Sequence, residues 1–252
     1  MGKPIVPYIA CPLHSDFGQH FLNAAALWRG ATSRGLSILA SPSRNSVLPA
    51  NFNEHLCAAW NLRKERGVTH FAMLHGDIAP QNFWFDVLLD ELHASKADVI
   101  SAVVPIKSLK GQTSTAVGER LPNGRPVHTK LTMQDVFQLP ETFGIEDTPW
   151  PDKTLLINSG CMAFRLDPWV REFLLDESFG FETWCEENED GQIQAHALGE
   201  DWRFALWLAK HGIRAVATRK VELNHWGMHA YGNTSPWGDP SLNAIQAEAV
   251  TA

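Results

Sequence analysis

Short apolar runs alternate with segments of helical periodicity through the first half of the chain. The runs predict strands at residues 5–10, 36–40, 71–74 and 99–105. Between them, apolar residues recur at three- and four-residue spacing, which predicts helices at residues 21–28, 51–67 and 80–95. Asn51 is expected to cap the second helix and Gly67 to end it. This order predicts an α/β fold with a mostly parallel sheet flanked by helices.

The pattern changes after residue 106. Residues 107–153 are rich in Gly, Pro, Thr and charged residues, which predicts long loops with one short helix near 133–139. Regular patterns then return as strands at residues 154–158, 162–166 and 215–223. Two further helices are expected to begin at Asp167-Pro168 and at Gly199-Glu200.

Composition excludes several classes of protein. The chain has 252 residues, of which 44% are apolar and 19% charged, so disordered, collagen-like and coiled-coil chains are excluded. No apolar run approaches the ~20 residues of a membrane-spanning helix, and the first residues lack the organisation of a signal peptide. We therefore expect a soluble, cytoplasmic protein. Its four cysteines form no CxxC pair, which favours buried free thiols over a disulfide framework or a zinc knuckle.

Two predicted strand ends carry the first candidate site. Ligands of parallel sheets bind beyond the carboxyl ends of the strands, where Cys11-Pro12 and His75-Gly76-Asp77 fall. Side chains at positions i and i+2 of an extended segment face the same way, so His75 and Asp77 are expected to reach one metal ion or sugar. Gly76 would admit close backbone approach. The alternative is that Asp77 caps the helix that follows.

A pair of acids opens a helix in the second half. Glu200 and Asp201 follow Gly199, and a carboxylate at this place is a candidate general base for an acceptor hydroxyl. The alternative is that both acids only offset the helix dipole.

Two further motifs interrupt or follow strands. Asn158-Ser159-Gly160 separates two apolar runs, and Gly160 is expected to supply a positive-φ turn where backbone lies close to a ligand, unless the segment is a simple hairpin. His225 follows the last predicted strand, with His229 four residues later. A neutral imidazole there is a candidate partner for Asp77, and a structural histidine is the alternative.

Taken in order, these motifs resemble the GT-A glycosyltransferases, especially small bacterial and phage-type enzymes. The resemblance covers residues 4–233. His75-Gly76-Asp77 stands at the place of the Asp-x-Asp motif, with His75 in place of the first Asp, and Asn51 resembles the Asn of an Ala-Arg-Asn pattern whose Arg is absent here. The segment 157–165 is similar to the strand that lines the donor sugar, and the segment 199–204 is similar to the Glu-Asp motif. His225 resembles the histidine that completes the metal site.

The resemblance implies a metal-dependent hexosyltransferase that uses a nucleotide-diphosphate sugar, with UDP-sugar as the first candidate. Mn²⁺ or Mg²⁺ would be held by Asp77 and His225, with His75 as a third candidate ligand. Asp201, or else Glu200, would be the catalytic base. The residues implied in binding the donor are Pro12, His14, Asn51, His75, Gly76, Asp77, Asn158, Ser159 and Gly160.

The resemblance also divides the chain. It implies one GT-A-like domain over residues 1–252, with a nucleotide-binding half at 1–106, a loop region at 107–153, a donor-sugar and acceptor half at 154–233, and a C-terminal tail at 234–252. It also implies a C-terminal extension on the acceptor side of the fold.

The acceptor and the class of reaction stay open. Candidate acceptors are a glycan, a small molecule, or a hydroxylated base in phage DNA. A chain of net charge −7 needs a local basic groove to bind DNA. The candidates for that groove are Lys107, Lys110, Arg120, Arg125, His128 and Lys130, which are otherwise ordinary solvated charges. The alternative functions are a nucleotidyltransferase of similar fold and a catalytically degenerate domain that binds nucleotide or sugar.

Overall fold

The computed structural model describes residues 4–13, 30–44, 47–227 and 230–239. The helix predicted at 21–28, the candidate residues His14 and His229, and the end of the chain from 240 lie outside them. The helices are α1 (Leu48–Arg66), α2 (Trp84–Ser95), α3 (Met133–Gln138), α4 (Pro168–Asp176) and α5 (Glu200–Lys210). The strands are β1 (Pro7–Leu13), β2 (Leu39–Arg44), β3 (His70–Leu74), β4 (Ile78–Pro80), β5 (Val99–Ala102), β6 (Gln112–Arg120), β7 (Pro126–Thr132), β8 (Thr142–Phe143), β9 (Thr154–Leu156), β10 (Cys161–Arg165), β11 (Glu182–Glu187), β12 (Ile193–Leu198), β13 (Ala215–Thr218), β14 (Leu223–Trp226) and β15 (Ala230–Gly232).

The largest sheet has the strand order β2-β1-β3-β10-β5-β13-β8. Strands β2, β1, β3, β5 and β13 point the same way, whereas β10 and β8 run in the opposite direction. The predicted class, α/β with a mostly parallel sheet flanked by helices, is therefore confirmed. Strand β10 lies between β3 and β5 and is antiparallel to both, with Cys161 opposite Leu74 at the carboxyl end of β3.

Both faces of this sheet are buried. Alternate residues of β10 enter different cores: Met162 and Phe164 pack on one face, Cys161 and Ala163 on the other. Helices α1, α4 and α5 cover the first face and α2 covers the second. Burial on two faces explains why the predicted strands are continuous apolar runs and not alternating ones.

The region predicted as long loops contains a second sheet. Strands β6 and β7 form an antiparallel hairpin, and β9 pairs with the other edge of β6. Only the short helix of the predicted 107–153 region is confirmed, as α3. The hairpin was not predicted because buried threonines, Thr113 and Thr115, replace aliphatic residues on its inner face.

A third small sheet has the order β15-β14-β4. The single strand predicted at 215–223 is wrong: it divides into β13, which stays in the large sheet, and β14, which pairs with β4. Pro80 belongs to β4, so the helix predicted to start there begins instead at Trp84. The pairing of β14 with β4 sets His225 opposite Ile78, next to Asp77.

Asn51 is not a helix cap. Helix α1 begins at Leu48 with Val47 in the cap position, and Pro49 occupies its first turn, where a missing N–H costs nothing. Asn51 lies inside the helix and is buried, and its side-chain amide bonds Ser43 of β2. Among the helices of the described residues, none combines the length and apolar character that crossing a membrane requires.

Phe164 is the residue through which β10 contacts two helices. Its ring is fully buried and lies 5.1 Å from that of Phe71, 5.2 Å from Trp169 and 6.1 Å from Phe204, measured between ring centroids. We predict that Phe164→Ala lowers the free energy of unfolding by about 3–5 kcal/mol, the usual cost of such a cavity, as measured by urea denaturation. The control is Leu175→Ala on α4, whose side chain is 70% exposed; its effect should stay within about 0.5 kcal/mol. A loss below about 1 kcal/mol for Phe164→Ala would contradict this packing.

Candidate functional site

Three chain segments meet at the carboxyl edge of the large sheet. The His75 N–H donates to the Gly160 carbonyl (2.8 Å), and the Gly76 N–H donates to the Pro12 carbonyl (3.2 Å). The ends of β1 and β3 and the start of β10 are thus joined through backbone hydrogen bonds. This confirms that the two predicted strand ends lie together. The segment after β3 is a tight turn and not extended, because the Ile78 N–H donates to the His75 carbonyl (3.1 Å).

Asp77 lies between two basic side chains. Its Oδ2 is 2.5 Å from Lys107 Nζ and 3.3 Å from His225 Nε2. Burial raises the pKa of Asp77, but the hydrogen bonds from His225 and Lys107 outweigh it and hold the pKa well below its usual range. Asp77 does not cap helix α2, which begins seven residues later. It is therefore a charged carboxylate at the ligand edge of the sheet.

His225 has its ring fixed by a second contact. Its Nδ1 lies 2.7 Å from the Pro105 carbonyl oxygen, which can only accept, so Nδ1 carries a proton. His225 Nε2 can donate to Asp77 only when the ring carries a second proton, and without that proton its lone pair is available to a cation. Metal-binding histidines commonly donate their other nitrogen to a carbonyl in this way. The pair Asp77–His225 therefore fits a divalent cation whose remaining ligands come from a diphosphate.

His75 does not join that pair. Its Nε2 lies 3.4 Å from Ser159 Oγ, and its ring is 5.1 Å from that of Phe52. Burial lowers the pKa of His75 to about 4, against the smaller opposing effect of Asp77, so the ring is neutral near pH 7. In the described part of the chain no three His, Cys, Asp or Glu side chains converge as a metal site. Of the three candidate ligands, the structure brings Asp77 and His225 into direct contact, whereas His75 contacts Ser159 and Phe52.

Asn158, Ser159 and Gly160 form the turn that holds these pieces together. The Asn158 side chain is 3% exposed; its amide donates to the Ala102 carbonyl (2.8 Å) and its Oδ1 accepts from the Gly160 N–H (3.0 Å). Asn158 therefore shapes the turn, and both ends of its amide are engaged by backbone. Gly160 does not have the positive φ predicted for it. A Cβ there would lie 2.5 Å from Ile78 Cδ1, so any larger residue would require the buried Ile78 side chain to move.

Glu200 and Asp201 form an acid pair beside the same turn. The Asp201 carboxylate accepts the N–H of Trp202 (2.8 Å) and the N–H of Ser159. Burial, and then the charge of Glu200, raise the pKa of Asp201 to about 8, and burial also raises that of Glu200. Two close carboxylates of this kind share a proton near neutral pH. Ser159 contacts both Asp201, through its N–H, and His75, through its Oγ.

The other predicted residues have structural surroundings. Cys11 is buried, and burial together with the charge of Asp77 raises the pKa of its thiol to about 12, so it is an uncharged wall of the site. Pro12 contributes its carbonyl to the turn. Asn51 bonds Ser43, which also lies 2.8 Å from His55 Nε2, in a partly buried polar network.

Three of the six residues of the predicted basic groove are paired with carboxylates. Arg120 pairs with Glu182 (2.5 Å) and Arg125 with Glu186 (2.7 Å). Lys107 pairs with Asp77. This lysine was identified in the sequence only as a loop charge, and no local pattern signals its partner because thirty residues separate the two.

The pKa of Asp201 generates a test of stability. A folded-state pKa raised above the unfolded one means that the folded chain keeps a proton that the unfolded chain releases, so the contribution of Asp201 to stability is greatest below about pH 4 and is lost as the pH rises towards 8. Asp201→Asn removes this titration. We predict that the free energy of unfolding of the variant, relative to that of the native chain, rises by at least about 1 kcal/mol between pH 4 and pH 8.5, or roughly 2–4 °C in Tm. Asp152→Asn, at an exposed position, is the control. An Asp201→Asn difference that is the same at both pH values would contradict the raised pKa.

Comparison with known proteins establishes only the fold. No protein-family model matches the chain, and no curated protein matches it. Among solved structures, the crystal structure of A197 from STIV is similar, with a TM-score of 0.53 and 12% sequence identity over 93% of this chain and 95% of that one. At this identity the similarity shows a shared α/β architecture and carries no information about activity.

Proposed function

We propose that the protein is a glycosyltransferase of GT-A type that moves a sugar from a nucleotide-diphosphate donor, UDP-sugar first among the candidates, to a hydroxyl acceptor. The observation that carries the proposal is the pair Asp77–His225, with His225 Nδ1 fixed by the Pro105 carbonyl, at the ligand edge of the sheet. The acid pair lies one hydrogen-bonded turn away. A cation site beside a protonatable carboxylate is the combination that such a transfer needs.

Asp77 and His225 are the residues that would hold Mn²⁺ or Mg²⁺. Such an ion, when bound, stabilises the charge on a diphosphate leaving group. Lys107 adds a positive charge at the same carboxylate, so it is placed to contact a diphosphate oxygen once an ion takes its position on Asp77. The 158–160 turn would form the wall against which the donor sugar lies.

Asp201 is the proposed base. In a direct, inverting transfer the acceptor oxygen forms a bond to the sugar C1 as the bond from C1 to the diphosphate breaks, and the acceptor proton passes to the carboxylate. The raised pKa of Asp201, about 8, supports this role once the carboxylate is ionised, because it then takes a hydroxyl proton more readily than an ordinary carboxylate does. Glu200, 6% exposed, would tune the pair through its charge.

A catalytically degenerate binder is the second candidate. Lys107 favours it, since its ammonium lies on the carboxylate that a metal ion would need. The two candidates differ in one measurable property. A transferase requires the cation for donor binding, whereas a degenerate domain in which Lys107 replaces the ion binds nucleotide equally well without it.

Binding of nucleotide tests the donor site. We predict that UDP or a UDP-sugar raises the Tm only when Mn²⁺ is present. At ~100 times Kd a ligand adds ~2.7 kcal/mol, which corresponds to roughly 5–10 °C. Asp77→Asn should remove this shift because it removes the charged ligand of the ion, and Asp90→Asn on α2, a carboxylate outside the site, should keep it. GDP, CMP and TDP form the comparison panel. A full shift without Mn²⁺ would favour the degenerate binder, and no shift with any nucleotide would overturn the proposal.

Lys107 provides a test that needs no nucleotide. Its ammonium competes with a cation for Asp77 Oδ2 through a partly exposed ion pair, a type worth about 0.2–1 kcal/mol. We predict that Lys107→Ala binds Mn²⁺ about 1.5- to 5-fold more tightly than the native chain in calorimetric titration. Lys110→Ala removes an equal charge nearby and should change the affinity less. Weaker Mn²⁺ binding in Lys107→Ala would show that the ion does not bind at Asp77.

A further inference from the structure

A small pocket lies beside His225 on the third sheet. Its volume is about 250 Å³, and it is lined by Leu109 and by residues of the segment 230–237. This volume falls below the range of roughly 300–1,000 Å³ that is usual for drug-sized ligands, so the pocket suits a single ring.

The register of β14 and β15 places the pocket next to the candidate cation site. Tyr231 is directly opposite His225 in the antiparallel ladder. Residues paired in this way carry their side chains on the same face of the sheet, with Cβ atoms about 4.5–5.5 Å apart. The Tyr231 side chain therefore lies on the face of the sheet that carries the His225 side chain, whose Nε2 lies 3.3 Å from Asp77 Oδ2.

Two aromatic rings form the wall of the pocket. The centroid of the Trp237 ring is 5.7 Å from that of Tyr231, with 33° between the ring planes. The indole Nε1–H donates to the Gly232 carbonyl (2.7 Å), which fixes the orientation of the ring. The backbone behind Trp237 is closely packed, because a Cβ on Gly111 would lie 2.1 Å from the Trp237 carbonyl oxygen. This wall is therefore fixed before any ligand arrives.

The chemistry of the lining favours a neutral ring with both apolar and hydroxyl faces. Its polar side chains are the hydroxyls of Tyr231, Thr234 and Ser235, and none of the lining residues carries a charge. A nucleic acid would bring phosphates that require cations, yet Arg120 and Arg125 are paired with glutamates elsewhere. A pyranose presents C–H groups to an aromatic face and hydroxyls at its rim, which matches this lining.

We propose that this pocket binds one pyranose ring of a carbohydrate acceptor, stacked on Trp237 and Tyr231, so that a neighbouring hydroxyl reaches the site of Asp77 and Asp201. The inference rests on the proposed function, and it specifies the acceptor as a glycan. Binding of DNA in place of a saccharide is then one outcome of the test.

The test is saturation-transfer NMR on the full chain with maltose, cellobiose, lactose and chitobiose, and with the oligonucleotide dT5 as the comparison. We expect transfer to the ring C–H protons of at least one disaccharide. Trp237→Ala should weaken that binding about 2- to 10-fold, the range for loss of an aromatic stacking contact, and Trp237→Phe should restore part of it. The control is Trp60→Ala on α1, whose ring contacts Arg63 outside the pocket, and its saccharide binding should equal that of the native chain.

Three results would overturn the assignment. They are no contact with any disaccharide, contact that Trp237→Ala leaves unchanged in a variant with native Tm, and contact with dT5 alone. The donor site is tested separately on the native chain by the Mn²⁺-dependent shift with nucleotide. If that shift fails while the saccharide contact depends on Trp237, the pocket stands as a sugar site and the transferase proposal falls. If the nucleotide shift is observed but no saccharide contact depends on Trp237, the pocket assignment falls and the donor site stands.

Discussion

The direction of one strand decides where the site can form. Because β10 runs against both β3 and β5, its first residue lies at the edge of the sheet where those strands end. The turn that precedes it is thereby delivered to the ligand edge, where the Gly160 carbonyl receives the His75 N–H and the Ser159 N–H reaches Asp201. A parallel strand in the same position would send that turn to the opposite edge, and the two groups of acids would not be neighbours.

The site contains two carboxylate centres whose pKa values are shifted in opposite directions. Asp77 is given Lys107 and His225 as partners, so its pKa falls and it stays charged. Asp201 is buried beside the charge of Glu200, so its pKa rises despite the backbone N–H groups that donate to it, and the pair retains a proton. Environments that separate the pKa values of neighbouring acids are a common feature of sites that use one as a fixed charge and the other as an acid or base. This separation supports assigning the cation to one centre and the proton to the other.

The sequence predicted the strands that are buried on both faces and the helices that follow residues typical of a helix start. Strand β3 is a continuous apolar run because both of its faces are covered, and α4 and α5 begin at Asp167 and Gly199 as expected. The β6–β7 hairpin was missed because its inner face carries hydroxyl side chains that bond within the chain, as Thr113 does to the Leu131 carbonyl. At the site, residue type and position along the chain identified Asp77, His225 and Asp201 as candidates. The ion pair between Asp77 and Lys107 depends on tertiary contact alone, so no sequence pattern predicts it.

The ladder between β4 and β14 has a consequence for how the site meets a ligand. The Trp226 N–H donates to the Asp77 carbonyl (2.8 Å), and His225 is paired with Ile78, so both side chains leave adjacent rungs of one backbone scaffold. Their separation is set during folding and not during binding. Little conformational entropy remains to be lost when a ligand bridges them, so the affinity of the pair reflects the contacts themselves and not the work of bringing the groups together.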